Sequence, residues 1–304
     1  MALPATAGAA PVPRDLADIK VAEVNSGFNL YVVATLSRGG VVSAQPMTCS
    51  GATCKKHGWV TLGSGLKSVE IDRTTNGNLV VLGRSGAGKV WYRRAACNKY
   101  GSCTWEGWRT LGGNVRSVRS ETTYFFDCAW VVGLSPRYRV YRARICESER
   151  DTDGWAAAGG SLRQIEVDEN GRVFGTSASG RLWWKGRNDT RWTDKGGRLT
   201  QPVSYDNFHE SKCGLSPGAH ELWCLHEFNG WTRHPGYWRK LDDGQAVGIA
   251  GTWSFKQYTN LGILHYGGLV NQVATDRFMQ VGVSGNREAW YRYNWNSSNR
   301  WARL

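Results

Sequence analysis

Apolar residues recur at every second position over short stretches of this chain, the period of a β-strand with two faces. Leu66-Lys-Ser-Val69-Glu-Ile71 and Lys89-Val90-Trp91-Tyr92-Arg93-Arg94 show it plainly. No segment of ten or more residues keeps the 3.6-residue apolar period of an amphipathic helix, so the pattern predicts strands throughout. Turn dipeptides separate them, among them Asn76-Gly77, Asn170-Gly171 and Ser179-Gly180, which supply the backbone conformations that tight hairpins need.

The strands fall into repeats. A Trp is followed four residues later by Gly at Trp59, Trp108, Trp155 and Trp192, and each time an apolar-alternating segment follows, such as Val115-Arg-Ser-Val118 or Leu162-Arg-Gln-Ile165. Further on comes Gly-x-Ser: Gly83-Arg-Ser85, Gly133-Leu-Ser135, Gly175-Thr-Ser177, Gly214-Leu-Ser216 and Gly282-Val-Ser284. Eight or nine residues after that Gly stands an aromatic: Trp91, Tyr141, Trp183, Trp223 or Trp290. Adding Trp231, Ile263 and Trp301 as anchors gives spacings of 49, 47, 37, 39, 32 and 38 residues. Such spacings, with about four strands per unit, are those of a β-propeller.

The fold expected is all-β, a propeller of four-stranded blades. Seven units are counted; six result if 231–300 is read as one unit with an insertion. The chain ends on Trp301-Ala-Arg-Leu304, the opening of a unit, and begins on Leu16-Ala-Asp-Ile19, its continuation. Two part-repeats that sum to one predict a ring closed by pairing of the C-terminal strand with the N-terminal blade, which would leave no open sheet edge at the seam. Residues 1–15, rich in Ala and Pro, read as a flexible leader, and 16–304 as a single domain.

Composition sharpens this picture. Sixteen Trp in 304 residues and a 12% aromatic share exclude a disordered chain, which has few aromatics. No apolar run reaches the roughly 20 residues a membrane-spanning helix needs, so membrane insertion is not expected. Lys and Arg exceed Asp and Glu by 13, and the excess is spread through many repeats rather than gathered in one basic run.

Eight cysteines form four local pairs: Cys49 with Cys54, Cys97 with Cys103, Cys128 with Cys146, and Cys213 with Cys224. Neighbours in sequence share a blade, so these four disulfides are expected. No pair has the Cys-x-x-Cys spacing of a metal site, and the scattered histidines complete none; no metal or other cofactor is expected. Disulfides imply an oxidising, extracellular location for a secreted protein.

Two catalytic look-alikes dissolve into the repeat. Gly83-Arg-Ser-Gly-Ala-Gly88-Lys89 lacks the final Ser or Thr of a phosphate-binding loop and leads into a strand, not a helix. Gly214-Leu-Ser216-Pro-Gly218 has the spacing of a nucleophile elbow, but its Gly-x-Ser is the repeat's own turn. Glu70, Glu166 and Asp168 are the acids that could line a central channel, and they form no acid–base pair by spacing.

The aromatics carry the better signal. Trp59, Trp108, Trp155, Trp192, Trp231 and Trp301 read as wedge fillers between blades. Trp91, Tyr141, Trp183, Trp223 and Trp290 stand on a later strand beside Arg93, Arg142, Lys185 and Arg292. A ring flanked by hydrogen-bonding side chains suits a sugar, whose C–H face packs on the ring while its hydroxyls take polar partners.

One unit, Gly154 to Lys185, with Trp155, Gly159-Gly160, Leu162-Arg-Gln-Ile165, Asn170-Gly171, Gly175-Thr-Ser177 and Leu182-Trp183-Trp184-Lys185, resembles a tectonin repeat. The resemblance extends to bacterial and fungal propeller lectins and covers most of the chain. It implies a non-catalytic lectin that binds glycans of cell surfaces or microbes at several sites between blades. Two other readings compete. One is a binder of anionic polymers, whether acidic polysaccharide such as heparin-like chains, lipopolysaccharide or nucleic acid; the other is a propeller polysaccharide hydrolase or lyase. The sugar, the number of working sites and the oligomeric state are open at this point.

Overall fold

The computed structural model describes residues 12–304 apart from 26–28, 51–52, 75, 123–126, 149–151, 206–210, 227–229, 235–236, 243–246, 251–253, 260–261, 277–278 and 294–300. Residues 1–11 of the expected leader lie outside the described residues. Of its remainder, Asp15 pairs with Arg38 and Arg287.

The described residues form antiparallel sheets and no helix. In the first sheet β1 (Leu16–Asn25), β2 (Leu30–Ser37) and β3 (Val42–Ser50) follow in order, and β3 pairs with both β4 (Thr53–Lys56) and β5 (Val60–Gly63). The second repeats this plan with β6 (Leu66–Arg73), β7 (Leu79–Ser85), β8 (Val90–Cys97), β9 (Cys103–Trp105) and β10 (Arg109–Gly112). The third holds β11 (Ser117–Thr122), β12 (Cys128–Leu134), β13 (Arg139–Cys146) and β14 (Asp153–Ser161). The fourth holds β15 (Gln164–Val167), β16 (Val173–Thr176), β17 (Leu182–Lys185) and β18 (Thr193–Gly196). The fifth holds β19 (Thr200–Tyr205), β20 (Ser211–Leu215), β21 (Leu222–His226) and β22 (Gly230–His234). The rest is one path of seven strands: β23 (Trp238–Asp242), β24 (Val247–Ala250), β25 (Ser254–Thr259), β26 (Gly262–Asp276), β27 (Met279–Ser284), β28 (Ala289–Tyr293) and β29 (Ala302–Arg303). Successive four-stranded meanders of this kind are propeller blades.

A second strand lies between two neighbouring sheets, so both of its faces are apolar. Along β7, Leu79 and Val81 pack toward the first sheet, while Val80 and Leu82 pack toward the third. Each such side chain contributes about 1.5–3 kcal/mol on burial. The same division recurs on β2, where Tyr31 and Val33 join a core with Met279, Val281 and Val283, and Val32 and Ala34 face the second sheet. The core is therefore a series of clusters between sheets.

The doublet Gly-Gly has a physical reason. Gly112-Gly113, Gly159-Gly160 and Gly196-Gly197 all have positive φ, between 69° and 85°, a region that costs other L-residues roughly 1–2 kcal/mol. The second glycine of each lies under the Trp of the next sheet. A Cβ there would come within 2.7 Å of Trp155 at Gly113, 2.6 Å of Trp192 at Gly160 and 2.9 Å of Trp231 at Gly197.

All four expected disulfides are present: Cys49–Cys54, Cys97–Cys103, Cys128–Cys146 and Cys213–Cys224. The first two close the added hairpins β3–β4 and β8–β9. The other two join directly opposed residues of β12–β13 and β20–β21.

The closure expected at the seam takes another form: among the described residues β29 pairs with β28, and its pairing with the first sheet does not occur. The reason is the phase of the repeat. Val60–Gly63 and Arg109–Gly112 are the outermost strands of the sheets that precede them, so the Trp-led segment closes a unit instead of opening one. The first sheet is already complete. The chain ends meet by packing and a few polar contacts: Leu16, Ile19 and Trp59 share a core with Ala289, Tyr293 and Leu304. Lys56 Nζ donates to Arg303 O at 2.9 Å.

Candidate functional site

Two clefts open between successive sheets, built from equivalent residues. The first, about 720 Å³, lies between the second and third sheets. Its floor is the linker Gly113-Asn114-Val115, its rim the β12–β13 turn Ser135-Pro136-Arg137, and its walls are Tyr141 of β13 and Trp155 of β14. The second, about 490 Å³, lies between the fourth and fifth sheets, with Gly197-Arg198-Leu199, Ser216-Pro217, Trp223 of β21 and Trp231 of β22 in the same roles. Both aromatic walls are half-buried. Each cleft thus offers two rings at a shallow opening with polar groups along one edge, a shape suited to a small polar ligand with an apolar face.

The turns are held alike. Ser135 Oγ accepts from Arg139 N at 3.1 Å and Ser216 Oγ from Glu221 N at 3.0 Å, while Pro136 and Pro217 stand at the rim. The tetrapeptide Gly-Leu-Ser-Pro occurs in this chain only at 133–136 and 214–217, and it marks both clefts. Sequence reasoning that stops at Gly-x-Ser misses that signal. It also misses Trp155 and Trp231, which wall the clefts as well as fill the wedges.

The other expected aromatics sit at different interfaces. Trp91 packs into the core between the first and second sheets, and Trp183 into that between the third and fourth. The cations two residues on share their face of the strand, and both reach back to the preceding sheet. Arg93 Nη1 donates to Leu62 O at 2.8 Å, and Lys185 Nζ donates to Ala158 O at 2.8 Å. Leu62 and Ala158 each stand three residues after their sheet's Trp, so the two bonds are the same strap made twice. Burial lowers the pKa of the Arg93 guanidinium; the carbonyl bond and the Trp105 ring, 5.9 Å away, offset its desolvation. In the two clefts Ala143 and Leu225 occupy the strap position and carry no donor.

Tyr141 and Arg142 are not brought together. Consecutive strand residues point to opposite faces. Tyr141 faces its cleft, whereas Arg142 lies 6.0 Å from the Trp130 ring and donates to Arg187 O in the fourth sheet at 2.7 Å. Trp290 is half-buried on β28 opposite Arg303, and Arg292 is buried on the same strand.

The three acids expected to line a channel are engaged in ion pairs on or next to the first strands of their sheets. Glu70 takes Lys20 at 3.5 Å and Arg119 at 2.6 Å, and Arg119 continues to Glu166 at 2.8 Å. Asp168 takes Lys212 at 2.9 Å and Arg172 at 3.0 Å. Charges of alternating sign thus link the first four sheets. No cluster of three or more metal-ligating side chains occurs among the described residues.

No protein-family model matches this chain, and no curated protein matches it in sequence. Solved structures do match in fold. The uncharacterized protein lmo1340 from Listeria monocytogenes EGD-e superposes with a TM-score of 0.58 at 10% identity, over 97% of this chain and 95% of that one. SapL1 lectin, in complex with alpha methyl fucoside, gives 0.52 at 13% identity over 96% and 97%. BP39L lectin from Burkholderia pseudomallei gives 0.53 at 11% identity over 94% and 83%. At these identities the likeness is one of fold, and the fold is that of the tectonin-type propeller lectins which the Trp–Gly repeat resembles.

Proposed function

We propose that this chain is a secreted carbohydrate-binding lectin that takes glycans of cell surfaces or microbes in clefts between its sheets, without catalysis. The observation that carries the reading is the repeated cleft: the same linker, Ser-Pro turn and pair of aromatic walls at Tyr141/Trp155 and at Trp223/Trp231. A sugar's C–H face packs on such rings. One shallow site of this kind binds at about millimolar, roughly −4 kcal/mol; two or more on one rigid frame gain roughly 10²–10⁴-fold on a multivalent surface.

Seven blades suit the sheet plan, because β26 pairs with β25 through Gly262–Leu269 and with β27 through Val270–Asp276. Dividing there gives seven units, five of four strands and the first two with an added hairpin strand each, with the ring closed by packing of the first sheet on the last. Four disulfides favour an extracellular setting. The ion pairs of Glu70, Glu166 and Asp168 support a non-catalytic protein, since each acid serves a cation. Trp290, half-buried on β28, is proposed as a further, weaker stacking position with Arg292 beside it, whereas Trp91 and Trp183, with Arg93 and Lys185 strapped across their seams, serve packing.

A glycan array followed by calorimetry tests the reading. A simple monosaccharide is a suitable first probe, as one fold neighbour is in complex with alpha methyl fucoside. Tyr141→Ala and Trp223→Ala should each lower the stoichiometry by one site, and the double variant should lose most binding. A folded protein silent on the whole array would overturn the proposal.

A further inference from the structure

We infer that the cleft between the second and third sheets selects a sugar bearing an anionic group, a carboxylate or a sulfate, which Arg137 and Arg139 hold. This rests on the glycan-binding reading and names the ligand class of one of its two clefts.

The inference comes from comparing equivalent positions. The residue before or at the start of a third strand faces the residue two places after the fourth-strand Trp. In the fourth sheet these are Arg181 and Asp194, bonded at 2.8 Å. In the fifth they are Glu221 and Arg233, bonded at 2.9 Å, and in the last sheet Glu288 and Arg303, at 2.9 Å. Each is a neutral pair. In the third sheet the cation is Arg139, but the place of the acid is taken by Ala157. Arg139 is exposed, lines the cleft with Arg137, and shares the face of Tyr141. Neither arginine has an ion pair among the described residues.

The surrounding turn adds charge of the same sign. Arg116 and Arg163, from the linkers into the third and fourth sheets, lie 4.3 Å and 3.9 Å from the centre of the Tyr138 ring. They too have no ion pair among the described residues. Two guanidinium groups thus line a cleft walled by two aromatic rings, and two more stack on Tyr138 of the adjoining turn. Guanidinium forks match carboxylate and sulfate oxygens in a bidentate way, and the rings match a sugar. The second cleft has one arginine, Arg198, and the nearby Glu221–Arg233 pair is already neutral, so it suits an uncharged sugar.

The test uses uronic acid-, sialic acid- and sulfate-bearing oligosaccharides, each paired with its carboxyl-reduced or desulfated counterpart. Binding to the full chain is measured by calorimetry at about 50 and 200 mM salt. At least one acidic probe should bind about tenfold or more tightly than its neutral counterpart, with the preference shrinking at high salt. The Arg137→Gln/Arg139→Gln variant should erase the preference. So should Ala157→Asp, which keeps both arginines and supplies the acid that Asp194 supplies to Arg181; position 157 is exposed, and a thermal melt checks its folding. Neutral-sugar binding that depends on Trp223 should survive both changes. If no pair shows a preference while Tyr141 and Trp223 still govern sugar binding, the inference falls and the lectin reading stands. A preference that survives both variants also overturns it. If single-stranded DNA binds as well as the acidic sugar and ignores Tyr141→Ala, the arginines read phosphate and not a sugar acid. If no sugar of any kind binds, both readings fall.

Discussion

The interfaces between the sheets come in two kinds. Between the first and second sheets, and between the third and fourth, a cation two residues after the third-strand aromatic crosses to the preceding sheet: Arg93 to Leu62 O and Lys185 to Ala158 O. Between the second and third, and between the fourth and fifth, the same position holds Ala143 and Leu225, and a cleft stands open. The repeat supplies an aromatic at all four places. At these four interfaces the next side chain on that face of the strand is a bonded cation at the strapped pair and an apolar residue at the open pair.

The largest expected effect concerns the Trp side chains that serve both kinds of interface. Trp108 Nε1, at the first strapped seam, donates to Leu62 O at 2.6 Å, whereas Trp155 Nε1 in the first cleft has no partner among the described residues. This difference belongs to the two residues and not to the kind of interface, since Trp231 Nε1 in the second cleft donates to Lys195 O at 3.0 Å. Trp108→Ala should cost about 3–4 kcal/mol, the large-to-small core cost with the hydrogen bond added. Trp155→Ala should cost about 3 kcal/mol or less and should also remove the sugar wall of its cleft. Urea denaturation of both variants measures the difference; the reverse order would show that the open cleft is the better packed interface. Next is the strap itself. Arg93→Met removes a buried charged hydrogen bond and should cost about 2 kcal/mol. Lys185→Met, at a half-buried site, should cost about 1 kcal/mol.

Reading the sequence reaches the fold more readily than the site, for a reason these residues illustrate. The fold rests on local periodicity: strand alternation, Gly-Gly under a Trp, and cysteines opposed across hairpins, as Cys128 and Cys146 are. All of these are visible within a few tens of residues. The phase of the unit is not, because Trp59 and Trp108 are followed by a new sheet in sequence but pair with the old one. The site rests on contacts between units. Spacing places Trp91 and Arg93 on one face, yet it does not say that the cation will find Leu62 O some thirty residues back. It puts Arg142 beside Tyr141 in sequence, although strand geometry sends the two to opposite interfaces. The second wall, Trp155 or Trp231, looks like packing because it also packs.

Transplanting the strap breaks the comparison directly. Ala143→Arg places at the open cleft the donor that Arg93 supplies at the sealed one, with Leu111 O, three residues after Trp108, as its equivalent target. Ala143 is buried in the core between the two sheets, so the added side chain should cost about 1–3 kcal/mol by overpacking, offset in part by the new bond. Sugar binding at that cleft should fall at least about tenfold, equivalent to roughly 1.4 kcal/mol, and calorimetry should count one site fewer. Unchanged stoichiometry in a variant that still melts cooperatively would mean that the strap does not decide which interface opens.

The smallest effect distinguishes the two open clefts by pH. Glu221, on the turn next to Ser216 of the second cleft, is held below the ordinary carboxylate range, first by its hydrogen bond from Arg233 and then by that cation's charge, against a burial penalty. A carboxyl whose folded pKa is depressed contributes stability above its unfolded value, about 4.3. That contribution is lost as pH falls through the lower folded value. Glu221→Gln should therefore lower the melting temperature slightly at pH 7, and the difference should vanish in strong acid, below both values. Arg139 in the first cleft has no carboxylate partner among the described residues, so Arg139→Gln should show no such acid-dependent convergence with the parent. If the two variants converged with the parent over the same acidic range, Arg139 would have to be paired in solution. The first cleft would then lose the uncompensated charge that sets it apart from the second.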